Sequence, residues 1–369
     1  PGTKYPDSIG VADMNGDGAT DLLYSRYPAT GSDIFRYLDL SGGVLPNLLT
    51  TIDNGLGRVI GLEYRTSTDY YVDDWDAGRP WTLRSPVPVT VVSRSTVSDR
   101  LSGQVYVTEY SYRNGYYDGA DKAFRGFALA QQADVGDVSA PTQIQRLIFD
   151  TGAQDESRKG IILQQDILGT GGNCGPDAPT AAISAATETM LPATTVPIAC
   201  YRRLINRLAT KQLANGSDDR KIVFSFIAQT DALEFETTST PRRTQQLFDY
   251  DDYGNQVLHI EYGEVAGDGT QPATGGDERL TYRTYGVNQT AWIVDRVVRV
   301  LQTDLAGAFV SEQRRYYDGP AYIGLAYGTV LQGNLTRQED YLGPAAANRW
   351  VQSARFEYDE YGNQIGRLD

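Results

Sequence analysis

The sequence predicts a mainly β protein. Three observations carry that expectation: the composition, the alternation of apolar residues, and a ten-residue motif that occurs twice. Among 369 residues there are 25 tyrosines and 38 glycines. Aromatic and β-branched side chains suit a pleated, half-buried surface, and glycine suits the tight turns between strands. A chain of this length is expected to form two or three domains with core enough to need no stapling.

The same tally excludes several functions. With 47 acidic against 33 basic side chains the formal net charge is -14, so nucleic acid and anionic membrane surfaces are poor partners. No run approaches the roughly 18 apolar residues of a membrane-spanning helix, and no direct membrane insertion is expected. His259, the one histidine, leaves no His-rich zinc site and little room for a Ser-His-Asp relay; it reads as a strand residue. The chain opens on Pro1 without a leader and reads as a piece of a longer polypeptide.

The first element is the loop Asp13-Met14-Asn15-Gly16-Asp17-Gly18-Ala19-Thr20-Asp21, between strand-like Ile9 to Ala12 and Leu22 to Tyr24. Oxygen side chains at positions 1, 3, 5 and 9, with glycine at 6, are what a hard cation requires. Calcium is the expected ion, held by Asp13, Asn15, Asp17, Asp21 and the Ala19 carbonyl. Tyr24 stands where an EF-hand needs glutamate, so the loop belongs to a β-hairpin. A metal-free turn closed by its own side chains is the alternative.

Further along, Ile60, Leu62 and Tyr64 alternate after the turn Asp53 to Gly57, which predicts a strand over Arg58 to Tyr64. Asp73, Asp74 and Asp76 beside Trp75 read as an acidic loop. Val87 to Val97 reads as a strand, with Pro86 and Pro88 near its start, where a missing donor is tolerated. Ser102-Gly103 turns the chain and Gln104 to Tyr112 returns beside it. Tyr201 to Leu213 is expected to form a short helix.

Gly169 to Ile198, made of Gly, Ala, Pro, Thr and Ser, reads as a surface insertion, and Gly263 to Gly276 as a second exposed loop. Cys174 and Cys200 flank the insertion. They are either two free thiols or a bridge worth about 3–4 kcal/mol, the latter favoured in a secreted protein.

The repeat is the most informative feature. Phe248-Asp249-Tyr250-Asp251-Asp252-Tyr253-Gly254-Asn255-Gln256-Val257 recurs as Phe356-Glu357-Tyr358-Asp359-Glu360-Tyr361-Gly362-Asn363-Gln364-Ile365. Only acidic and aliphatic swaps separate the copies, which marks an array of one supersecondary unit. Phe248 and Tyr250, like Phe356 and Tyr358, fall on one strand face. The acidic pair opens a turn in which Gly254 or Gly362 takes positive φ, so each unit is a β-hairpin with a bulge-type turn. Looser relatives are Tyr116-Tyr117-Asp118-Gly119 and Tyr316-Tyr317-Asp318-Gly319. The tyrosines are expected to pack across strands; a platform for sugar rings is the competing reading.

These hairpins resemble the YD repeat of Rhs-type proteins, and the aspartate loop resembles the FG-GAP (VCBS) repeat of integrin-type β-propellers. Their order, with Phe124-Arg125-Gly126-Phe127 between them and Gly333-Asn334-Leu335-Thr336-Arg337 near the end, is similar to the middle of the B component of bacterial insecticidal toxin complexes (Tc toxins). The resemblance implies four segments: a propeller-type calcium-loop segment at 1–46, a middle β domain at 47–140, a variable β region at 141–242, and a YD-repeat shell at 243–369. It implies the end of a propeller blade followed by an extended, curved antiparallel sheet that forms part of a hollow shell. Such a shell encloses a C-terminal toxic effector, pairs with a C component and docks on a pore-forming A component. The resemblance further implies a secreted or cell-surface protein with no catalytic residues of its own. The alternatives are an extracellular carbohydrate- or cell-surface-binding module, and a hydrolase built on a carboxylate pair.

Overall fold

The computed structural model describes residues 8–25, 35–43, 45–83, 85–172, 174, 200–217, 221–235, 241–267, 269, 276–344 and 349–369. Most of the two expected surface loops, 169–198 and 263–276, lies outside the described residues. The fold is mainly β and antiparallel, as the composition and alternation predict. The chain divides into two compact units, 1–203 and 204–369.

The first unit holds two sheets. β1 (Ser8–Ala12), β2 (Asp21–Ser25) and β3 (Phe35–Leu38) form an antiparallel three-stranded sheet, with the aspartate loop joining β1 to β2. β4 (Thr51–Asp53), β5 (Arg58–Thr66), β6 (Thr90–Asp99), β7 (Val105–Asp118), β8 (Ala123–Asp134), β9 (Gln143–Phe149) and β10 (Ile162–Gly169) follow as a meander in chain order. Short turns at β4–β5, β6–β7 and β7–β8 favour pairing in chain order. Gly103, at φ 73°, supplies the expected β6–β7 turn. Ile148, Ala128, Leu129 and Leu163 are buried in this sheet.

The acidic stretch is not a loop. It lies on the helix α1 (Ser67–Asp76), opened by a capping box in which Thr66 and Asp69 exchange side-chain and backbone hydrogen bonds. Tyr70 anchors the helix to the sheet by donating to the Tyr110 carbonyl at 2.8 Å. Its ring meets Tyr112 edge-on. Asp74 is buried and paired with Arg79 at 2.9 Å and Arg113 at 2.8 Å, and it accepts the Trp81 indole N–H at 2.7 Å.

Tyr201 to Leu213 is a strand rather than a helix, part of β11 (Cys200–Asn215). Leu204, Ile205, Leu208 and Ala209 have helical spacing. The residues buried at a period of two nevertheless include Arg203, whose charge is compensated by a carboxylate on β10. Apolar periodicity misses a strand whose inward side chains are charged and paired.

The second unit is a meander of β12 (Lys221–Glu234), β13 (Arg242–Tyr250), β14 (Gln256–Val265), β15 (Arg279–Asn288), β16 (Ile293–Thr303), β17 (Phe309–Tyr317), β18 (Leu335–Tyr341), β19 (Trp350–Tyr358) and β20 (Gln364–Leu368). Val298, Tyr317 and Val330 form its buried cluster, flanked by Ile293 and Leu335. Among the described residues no helix is long and apolar enough to cross a membrane.

Candidate functional site

The aspartate loop is closed by its own side chains. Asp13 accepts the Gly16 and Gly18 amides at 2.7 and 2.9 Å, and Asp17 accepts the Ala19 amide at 2.7 Å. Asn15 accepts the Asp17 amide at 3.1 Å and donates to the Asp17 carboxylate at 2.9 Å. Gly16 and Gly18 have φ of 77° and 86°, and a Cβ on Gly16 would lie 2.8 Å from Thr68, so the loop sits against the start of α1. Among the described residues no three His, Cys, Asp or Glu side chains are grouped to hold a metal ion. Asp21 is the exception to this self-sufficiency. It is fully buried; one oxygen accepts the Met14 amide at 2.8 Å, and the other, Oδ1, has no hydrogen-bond partner. A buried carboxylate oxygen without a donor is costly, and a cation would satisfy it. That oxygen is the one feature of the loop that favours a cation; the remaining hydrogen bonds are those of a turn closed by its own side chains.

The two repeat copies close their turns with the same hydrogen bonds. The Asp251 amide donates to the Asn255 carbonyl at 2.9 Å, as Asp359 does to Asn363 at 3.0 Å. The Asp251 carboxylate accepts the Tyr253 and Asn255 amides, each at 2.9 Å, and Asp359 accepts those of Tyr361 and Asn363 at 2.9 and 2.8 Å. The Asn255 and Asn363 side chains donate to the same carboxylates, each at 2.9 Å. Gly254 and Gly362 take φ of 86° and 83°, and a bulge precedes Tyr250 and Tyr358. The first acidic residue closes each turn; the second, Asp252 or Glu360, faces outward.

The tyrosines divide by position. Tyr250 packs against the stacked pair Phe224 and Phe226, and Phe248 stacks on His259 with ring centroids 4.9 Å apart. Burial lowers the His259 pKa, as expected of a strand histidine. Tyr253 is only part-exposed and meets Trp292 edge-on, while Tyr361 is 82% exposed at its turn.

The looser Tyr-Tyr-Asp-Gly copies each bond to a second motif. Asp318, in a left-handed conformation at φ 55°, accepts the amides of Leu331, Gln332, Gly333 and Asn334 at 2.7–3.1 Å. Thr336 returns a hydrogen bond to the Asp318 carbonyl at 3.0 Å. Gly333 to Arg337 is thus tied to Tyr316 to Gly319. In the first unit Arg125, from the Phe-Arg-Gly-Phe motif, pairs with Asp118 at 3.2 Å and Asp121 at 2.6 Å.

Sequence reasoning missed a third device. Asp166 on β10 is fully buried and paired with Arg146 of β9 and Arg203 of β11, the latter at 2.8 Å. Asp231 on β12 is equally buried and paired with Arg207 of β11 at 3.5 Å and Arg243 of β13 at 3.1 Å. Gln164 and Gln229 donate to these carboxylates at 3.1 and 2.9 Å. Each aspartate therefore staples its strand to both neighbours. The available signal is the tripeptide Gln-x-Asp, which ends at Asp134, Asp166, Asp231, Asp304 and Asp340.

Cys174 and Cys200 are bonded to each other, with Cα atoms 5.0 Å apart and both side chains buried.

Residues 1–152 match the family model of the insecticide toxin TcdB middle/N-terminal region. No curated protein sequence matches the chain. The fold is shared with the TcdB2-TccC3 structure at a TM-score of 0.68 and 16% identity, over 98% of this chain and 23% of that one. TcdB2-TccC3-Cdc42 follows at 0.65 and 18% identity, over 91% and 20%. The Tc holotoxin pore of Photorhabdus luminescens gives 0.61 and 18% identity, over 91% and 19%. The chain spans less than a quarter of the length of these structures. The chain is thus similar to the TcdB middle/N-terminal region over residues 1–152, and over nearly all its length it shares the fold of part of TcdB2-TccC3.

Proposed function

We propose that this chain forms part of the wall of a Tc-type toxin shell that shields a C-terminal toxic effector until delivery. The observation that carries the reading is the aspartate-closed hairpin, built identically at Asp251 and Asp359 within a meander whose fold is that of TcdB2-TccC3. A wall needs many self-sufficient hairpins and no catalytic group, and these turns satisfy their own polar groups locally. The partners are then a C component that completes the shell, the effector inside it, and a pore-forming A component. The protein acts outside the cell that makes it. β1 to β3, with the aspartate loop between the first two strands, is read as part of a propeller blade, with calcium on Asp13, Asn15, Asp17, the Ala19 carbonyl and Asp21.

The test is protection of the effector. The full reading frame containing this chain is co-expressed with its C component and digested with a broad protease. Survival of the effector segment, lost once the shell is unfolded, supports the reading. An effector digested as fast in the complex as alone overturns it.

Tyr361 and Trp292, 82% and 73% exposed at turns, favour a second reading as a carbohydrate- or cell-surface-binding module. Glycan-array binding lost on Tyr361→Ala and Trp292→Ala supports it, and silence on a broad array overturns it.

A further inference from the structure

The cross-strand pair that opens each repeat hairpin is not the same in the two copies. Phe248 lies directly opposite His259 of β14, and Phe356 lies directly opposite Arg367 of β20. Both copies thus set a basic side chain against the phenylalanine of the motif, and they house its charge differently. The Arg367 guanidinium stands 6.0 Å from the Phe356 ring centroid, 60% exposed and paired with Asp369 at 2.8 Å. The His259 imidazole lies nearly flat on Phe248, the ring planes 11° apart. Its Nε2 is shut off from water and has no hydrogen-bond partner among the described residues.

The neutral ring tolerates this, because one of its nitrogens carries no proton. The imidazolium carries a proton on both, so it must bury an N–H at Nε2 with no acceptor, and desolvation makes that costly. The charges on the same face offer little relief. On β14 itself Glu261 favours the charged ring, but Glu261 lies opposite Arg279 of β15. Arg283, also on β15, opposes the charge, and uncharged Thr281 sits directly across from His259. From β13, Gln246 and Phe248 share the face and neither titrates, while Asp249 falls on the other face. Burial is the largest of these effects and lowers the His259 pKa.

We propose that His259 makes the first repeat hairpin an acid-sensitive fastener: gaining a proton loosens the β13–β14 pairing at Phe248, while the second hairpin, fastened by Phe356 and Arg367, keeps its hold. The sign follows from a ring that is held neutral in the folded protein and titrates at about 6.5 when unfolded. Stability is complete above about 6.5 and is lost as pH falls from there through the lower folded value. The inference does not rest on the shell reading and stands or falls separately from it.

Because His259 is the one histidine of the chain, its imidazole signal in an NMR spectrum needs no assignment. In the full chain it is expected to titrate below about 6.5, the value of an exposed imidazole, and a midpoint at or above that value would overturn the proposal. Hydrogen exchange read by mass spectrometry tests the fastener itself. Corrected for intrinsic rates, protection of β13 and β14 is expected to fall by up to about thirtyfold between about pH 7.5 and 5, and that of β19 and β20 to stay near constant. His259→Phe keeps an aromatic ring on Phe248 and removes the titration, so its β13–β14 protection is expected to be flat over the same window. His259→Arg, which copies the second hairpin, is expected to behave alike and serves where the first variant fails to fold. Equal falls in both hairpins, no fall in the first, or a fall that persists in the variants contradicts the proposal.

Discussion

Asp318 and Asp21 are both buried aspartates, and they differ in how many donors reach them. Burial raises the Asp318 pKa, but the four backbone amides outweigh it and hold the carboxyl below its ordinary value. A depressed folded pKa stabilises the protein above the unfolded value, about 3.9, and that stability is lost as pH falls through the folded value. Asp318→Asn is therefore expected to lower stability at pH 7, with the gap to the parent closing as pH falls below about 4. Urea unfolding at a series of pH values measures the gap, and a constant gap contradicts the assignment. Asp21 has the opposite problem, one oxygen with no donor. Calcium is expected to raise the melting temperature, and Asp17→Ala to abolish the rise; a melt indifferent to calcium chelation retires the metal.

At the scale of the element, turns were legible and staples were not. The hairpin at Asp251 could be read because its aspartate, glycine and asparagine lie within five residues and interact locally. Gly254→Ala, forced into φ near 86°, is expected to cost about 1–2 kcal/mol in chemical denaturation. Asp166 and Arg203 are 37 residues apart and meet only through strand order, so neither periodicity nor turn chemistry points to them. The same pairing hid β11, because the inward Arg203 breaks the apolar alternation of a buried strand. α1 was hidden by its acidic composition, and only the Thr66 to Asp69 spacing announces it. The staples carry a strong expectation: Asp231→Asn, at a fully buried position, leaves the half-buried Arg243 without its carboxylate and costs about 3–5 kcal/mol. In a double-mutant cycle with Arg243→Gln the two losses are expected to be far from additive, and additive losses would show the pair is uncoupled.

At the scale of the molecule, the staples and the hairpins stabilise different things. A hairpin turn closes within one pair of strands, whereas Asp166 and Asp231 each bind three strands across the sheet. Loss of a turn is then felt locally, and loss of a staple opens a seam along a strand. If the sheet is the wall of a toxin shell, a seam matters more than its cost in stability suggests, because a protease needs only one gap. In the full complex, Asp231→Asn is expected to speed digestion of the enclosed effector several-fold while the β-sheet signal in circular dichroism stays unchanged. Gly254→Ala should leave digestion near the parent rate. Equal digestion in both variants would mean that the staples hold strands together without sealing anything, and would assign them to stability alone.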